Sequence, residues 1–91
     1  MAAIRDERHK KELVLRLKRI EGQLRGIQAM IEAGADCEKV AQQISAGRRA
    51  LDKAFFNVLA CAIQAEPAAA GGKPAVEKRI RIAAELLARF G

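Results

Sequence analysis

Between positions 5 and 32 the residues Leu13, Leu17, Ile20, Leu24, Ile27 and Ile31 recur at alternating steps of four and three. That rhythm is the apolar seam of a long packed helix, and it predicts a helix over residues 5–32. Val14 and Leu15 fall off the seam and point to a second packed face. The segment Ala33-Gly34-Ala35-Asp36 then supplies a glycine suited to a helix C-terminus and an aspartate suited to capping the next helix. In the second predicted helix, residues 37–65, Val40, Ile44, Gly47, Leu51, Ala54, Val58 and Cys61 continue the rhythm. Phe55, Leu59 and Ala62 form an adjacent stripe, and Pro67 stops the helix. Residues 66–74 read as a connector, with Pro74 just ahead of a third helix at 75–90. There Val76, Ile80, Ala83, Leu87 and Phe90 make an apolar stripe, with Lys78, Arg79, Arg81 and Arg89 outside it.

These elements predict a single all-α domain over residues 1–91: a three-helix subunit with two long antiparallel helices and a short third packed on them. Helices of about 28 residues are each over 40 Å long, and one short helix cannot cover the apolar faces of both. A second copy of the chain is expected to cover the rest. The two cysteines, Cys37 and Cys61, stand at opposite ends of the second helix, roughly 36 Å apart, and cannot meet within one subunit. If two copies of that helix cross antiparallel at a two-fold axis, residues balanced about the axis approach each other. Cys37 and Cys61 balance about Arg49, so a dimer can bring Cys37 of one subunit near Cys61 of the other.

Composition narrows the partners. The chain is 51% hydrophobic but has no tryptophan or tyrosine, and its aromatics are Phe55, Phe56 and Phe90. So small a core favours self-association. Its 17 basic and 11 acidic residues leave a formal charge of +6, which favours a polyanion, nucleic acid before an anionic membrane surface. No apolar run is long enough to span a bilayer, and the N-terminus MAAIRDERHKK lacks the apolar region of a secretory signal, so a cytoplasmic location and no membrane partner are expected. In a reducing compartment two cysteines suit free thiols, metal ligands or redox sensors better than a structural disulfide. One histidine, no glycine-rich phosphate loop after a strand and no paired acid/base constellation argue against an enzyme. A helical adaptor that binds no DNA stays open on pattern alone.

The blocks RLKRIEGQLRGIQAMIE (residues 16–32) and DCEKVAQQISAGRRAL (residues 36–51) resemble the CsoR/RcnR/FrmR family of small bacterial transcriptional repressors. The resemblance runs over residues 8–66 without a gap. It implies an all-helical dimer, formed through the two long helices, that pairs into a disc-shaped tetramer, a dimer of dimers. It also implies binding to double-stranded operator DNA and release on sensing Cu(I), Ni(II) or Co(II), formaldehyde or reactive sulfur. The sensor of that family lies between subunits, with a cysteine at the start of the second helix. Cys37 matches that position, at a helix terminus where physical chemistry also expects a reactive thiol. Two other positions depart from the pattern: Ala62 stands where copper, nickel and formaldehyde sensors carry histidine, and Glu66 where copper and sulfur sensors carry a second cysteine. Cys61 is the substitute partner, or else a small core residue. His9 and Glu66 are further possible ligands, although a lone histidine among charges near a terminus is more often solvated. The effector reading favours reactive sulfur or persulfide over Cu(I), with no resident cofactor required.

For DNA, no helix-turn-helix, zinc-finger or basic-zipper spacing appears. At 100° per residue Arg16 and Arg19 share one flank of the first helix, and Lys11, Lys18 and Arg25 the other. Repeated through a tetramer, such rows could track phosphates over a wide footprint. The resemblance points to Arg16, Arg19 and the Arg48, Arg49 and Lys53 stretch as the matching basic positions.

Overall fold

The computed structural model describes residues 3–64 and 73–91. Its element order is α1 (Glu7–Glu32), α2 (Cys37–Gln64) and α3 (Lys73–Phe90), with no strand among the described residues. The helix α1 starts two residues later than its periodicity suggests because Asp6 is its N-cap. The Asp6 carboxylate accepts from Arg8 N–H at 2.8 Å and His9 N–H at 3.2 Å, satisfying two of the first-turn donors that have no helical partner. At the other end Gly34 takes a positive φ of 77°, which costs a glycine little. Its N–H donates to Ile31 at 3.1 Å and the Ala35 N–H to Met30 at 2.9 Å, the paired bonds of a Schellman motif. The chain thereby reverses in a tight turn, and α2 runs back antiparallel to α1.

The long helices pack directly on each other, and α3 packs on α2. Principal extents of 58 × 27 × 15 Å describe a thin slab, since one helix with its side chains is already about 10–12 Å across. A body so thin has little interior. On α1 only Ile20 and Ile27 of the predicted seam are buried, at 4% and 6% exposure, and on α2 the buried positions are Gly47, Ala54, Leu59 and Ala62. Leu13, Val40 and Cys61 of the seam are half-buried, and the rest lie open in two strips at heptad spacing, Leu17, Leu24 and Ile31 on α1, and Ile44, Leu51 and Val58 on α2. The expected seam therefore divides: alternate members pack within the hairpin, and the rest face outward.

The third helix departs from its predicted stripe. Ala75, Arg79, Ile82, Ala83 and Leu86 are the half-buried positions of α3, whereas Val76, Ile80, Leu87 and Phe90 are exposed, Ile80 at 63%. Both sets repeat at helical spacing, and the smaller, mixed face is the more covered. The helix also begins at Lys73, with Pro74 inside its first turn, where the missing N–H would have had no helical acceptor. The predicted connector at 66–74 lies for the most part outside the described residues, as does Glu66.

Candidate functional site

Because α1 and α2 run antiparallel from a turn at Gly34 and Ala35, the start of α1 lies beside the end of α2. Their register is visible at Gly47, where an added Cβ would stand 3.9 Å from Gln23 Cδ. Gln23 Nε2 also reaches across to donate to the Gln43 carbonyl at 3.5 Å. Two heptads further from the turn on each helix, the same register sets Cys61 against His9. Cys61 Sγ lies 3.5 Å from His9 Nδ1, and both residues are half-buried. With its proton on Nε2, the imidazole accepts from the thiol through Nδ1. His9 is thus in a cleft and not fully solvated, contrary to what its charged, near-terminal neighbourhood suggests.

The cleft has a volume of about 300 Å³. Around the thiol and imidazole, α1 contributes Glu12, Leu13 and Arg16, and α2 contributes Asn57. Arg16 is half-buried, and among the described residues it forms no ion pair, while Glu12 sits 3.6 Å from Arg8. Sulfur and imidazole donors are a soft set suited to Cu(I) or Zn(II). Donors bound at about 2.0 Å (N) and 2.3 Å (S) to one tetrahedral ion stand roughly 3.5 Å apart, so the observed pair has the span of a two-ligand clamp. Among the described residues no cluster of three or more His, Cys, Asp or Glu side chains could hold a metal. Among the described residues, one chain thus brings two donors together at this place.

Cys37 is exposed at the first residue of α2, just after Asp36, whose carbonyl accepts the Val40 N–H at 3.0 Å. Ile31, Ala35, Val40 and Ile44 form a shallow apolar depression beside it. The two thiols lie at opposite ends of α2 and do not meet within the subunit. Arg19, Lys18, Arg48, Arg49 and Lys53 are exposed, and Arg49 Nη1 donates to Ser45 Oγ at 3.3 Å. Lys18 lines a separate apolar depression with Lys10, Lys11, Val14 and Leu15, on a different side of α1 from Arg16. Sequence reasoning named His9 and Cys61 separately but did not pair them, and it passed over Glu12 and Asn57. The pairing follows from reflecting the chain about Ala35, which carries position 61 onto position 9 as it carries Gly47 onto Gln23.

One thiol thus stands at the open end of α2 and a second at the turn, with basic residues along both long helices. The family model for metal-sensitive transcriptional repressors matches residues 9–89. The chain belongs to that family, as the blocks on its first two helices imply. It is 36% identical over 67 residues to an uncharacterized protein encoded in the bioA 5′ region of Serratia marcescens, covering 74% of each chain. It is 40% identical over 55 residues to the copper-sensing transcriptional repressor CsoR of Bacillus subtilis strain 168, covering 60% of this chain and 54% of that one. No solved structure matches. The family is one of transcriptional repressors, which are not enzymes, and no helix among the described residues is long and apolar enough to cross a membrane.

Proposed function

We propose that this protein is a cytoplasmic repressor that binds double-stranded operator DNA as a dimer of dimers and releases it when an effector reacts at paired thiols, Cys37 of one subunit and Cys61 of another. Reactive sulfur is the favoured effector class. The observation that carries this reading is the contact between Cys61 Sγ and His9 Nδ1 at 3.5 Å, which gives the thiol a proton acceptor. In the reaction a Cys61 thiolate attacks the sulfane sulfur of a persulfide, displacing a thiolate and becoming a persulfide itself. Attack by Cys37 of the neighbouring subunit then forms a disulfide and expels hydrosulfide. The open strips on α1 and α2 supply apolar surface for the subunit interface that this chemistry needs.

A second reading is favoured by the same pair of atoms. Cys61 Sγ and His9 Nδ1, with Cys37 of a neighbouring subunit, would make an S₂N set for Cu(I), with the imidazole arriving from α1 in place of the histidine absent at Ala62. The relative in Bacillus subtilis is copper-sensing by its name. The test is a gel shift with DNA from upstream of the protein's own gene, under anaerobic conditions, with persulfide or Cu(I) added. Release with persulfide and a Cys37–Cys61 crosslink in mass spectrometry support the first reading; release with stoichiometric Cu(I) and no crosslink supports the second. Absence of any shift would rule out the repressor reading in favour of an adaptor. In the same assay Arg16→Ala should weaken binding and lower the salt slope by about one for each phosphate that is no longer neutralised.

A further inference from the structure

The cleft between the start of α1 and the end of α2 holds more than a thiol and its imidazole. Arg16, two turns along α1 from His9, lines the same space without an ion-pair partner among the described residues. The carboxylate of Glu12, which also lines it, lies against Arg8 at 3.6 Å. Asn57 adds amide N–H donors from the opposite wall. At about 300 Å³ the space is at the small end of ligand pockets. A nucleophile, a proton acceptor and a cation thus converge where a small anion fits.

We propose that this cleft takes small thiol-reactive anions, which Arg16 and Asn57 hold while Cys61 attacks, and that the resulting anionic adduct keeps Arg16 in the cleft and off the DNA. In the reaction the Cys61 thiol proton passes to His9 Nδ1 and the sulfur bonds to the electrophilic centre of the anion. The bond from that centre to its leaving group breaks, and the electron pair departs with the leaving group. No further oxidant or reductant is consumed. The anions concerned are those whose charged group stays on the electrophilic fragment, as the carboxylate of a haloacetate does, so the adduct leaves a fixed negative charge beside Arg16 and a guanidinium otherwise available to phosphate is neutralised in place. Cys37 has no part in this step, which distinguishes it from crosslinking between subunits. The control of DNA rests on the repressor reading above; the anion selectivity of Cys61 does not.

Iodoacetate and iodoacetamide separate charge from size, since both alkylate thiols with loss of iodide and only the first leaves an anion. In Cys37→Ser protein the ratio of alkylation rates, iodoacetate over iodoacetamide, is measured at Cys61 by mass spectrometry. It is compared with the ratio at Cys37 in Cys61→Ser protein. The expected ratio is roughly fivefold higher at Cys61, from attraction by a nearby cation. It should fall to the Cys37 value in Arg16→Gln, whereas His9→Asn should slow both reagents and leave the ratio unchanged. Equal ratios at the two cysteines would overturn the anion site. For the switch, carboxymethylated Cys37→Ser protein should bind operator about tenfold more weakly than the carbamidomethylated form, with a shallower salt dependence. Equal affinities of the two adducts would overturn the switch. If the unmodified protein binds no operator, the repressor reading and the switch fall together, while the alkylation ratio still decides the anion site.

Discussion

Cys61 Sγ and His9 Nδ1 lie 3.5 Å apart although 52 positions separate them in sequence, because the tight turn at Gly34 folds one end of the hairpin onto the other. On the proposed reading, the pair is the part of the site drawn from one subunit's described residues. His9→Ala removes the imidazole and leaves the buried residues Ile20 and Ile27 in place. Anaerobic titration against a colorimetric Cu(I) chelator should then show affinity reduced by at least about tenfold, with helix content unchanged. Unaltered Cu(I) affinity would remove His9 from the ligand set.

The open strips predict a second outcome. Leu51 is 47% exposed in the middle of the α2 strip, where a charge can be solvated in one chain but not in an apolar interface. Leu51→Glu should lower the sedimentation mass towards a single chain at micromolar concentration and abolish the operator shift. An unchanged mass would place the subunit interface elsewhere.

The core is small enough for single positions to dominate it. Ile20 is 4% exposed, and Ile20→Ala should destabilise the fold by about 2–4 kcal/mol in urea denaturation, from lost transfer energy and an unfilled cavity. In a chain of this size that is a large share of the total.

How much of this was legible beforehand depended on where each feature is decided. The three helices follow from four-three spacing, and the turn from Gly34, because local propensity and a residue at ease with positive φ set both. Which face of α3 docks was not legible. The stripe through Val76, Ile80 and Leu87 is the more apolar, yet the half-buried face runs through Ala75, Arg79, Ile82 and Leu86. Exposure of Leu17 and Leu51 was equally hidden, since a seam looks the same whether its own hairpin or another chain covers it. The His9–Cys61 pair depends on hairpin register, which the turn determines and no local pattern displays. Cys37 needed no register, being at a helix start.

Acid should act first at the tip of α1. The His9 N–H, followed by the Arg8 N–H, holds the Asp6 carboxylate below its ordinary 3.8. A group held lower in the folded chain stabilises it fully above the unfolded value, and that contribution fades as pH drops through the lowered folded value. Amide exchange at Arg8 and His9 should therefore stay protected from neutrality down to about pH 4 and rise below it, while amides near Ile27 remain protected. In Asp6→Ala the tip should exchange rapidly at every pH, and a tip equally protected in both proteins would show that the cap is not what holds it.

His9 stands on the first turn of α1, ahead of the buried pair Ile20 and Ile27 and away from the turn that sets the register. Substitution there exchanges the partner offered to Cys61 without disturbing the packed middle of the hairpin. Under the proposed sensing role, the partner offered to the thiol is exchangeable by point changes at a helix tip while the packed middle of the hairpin stays as it is.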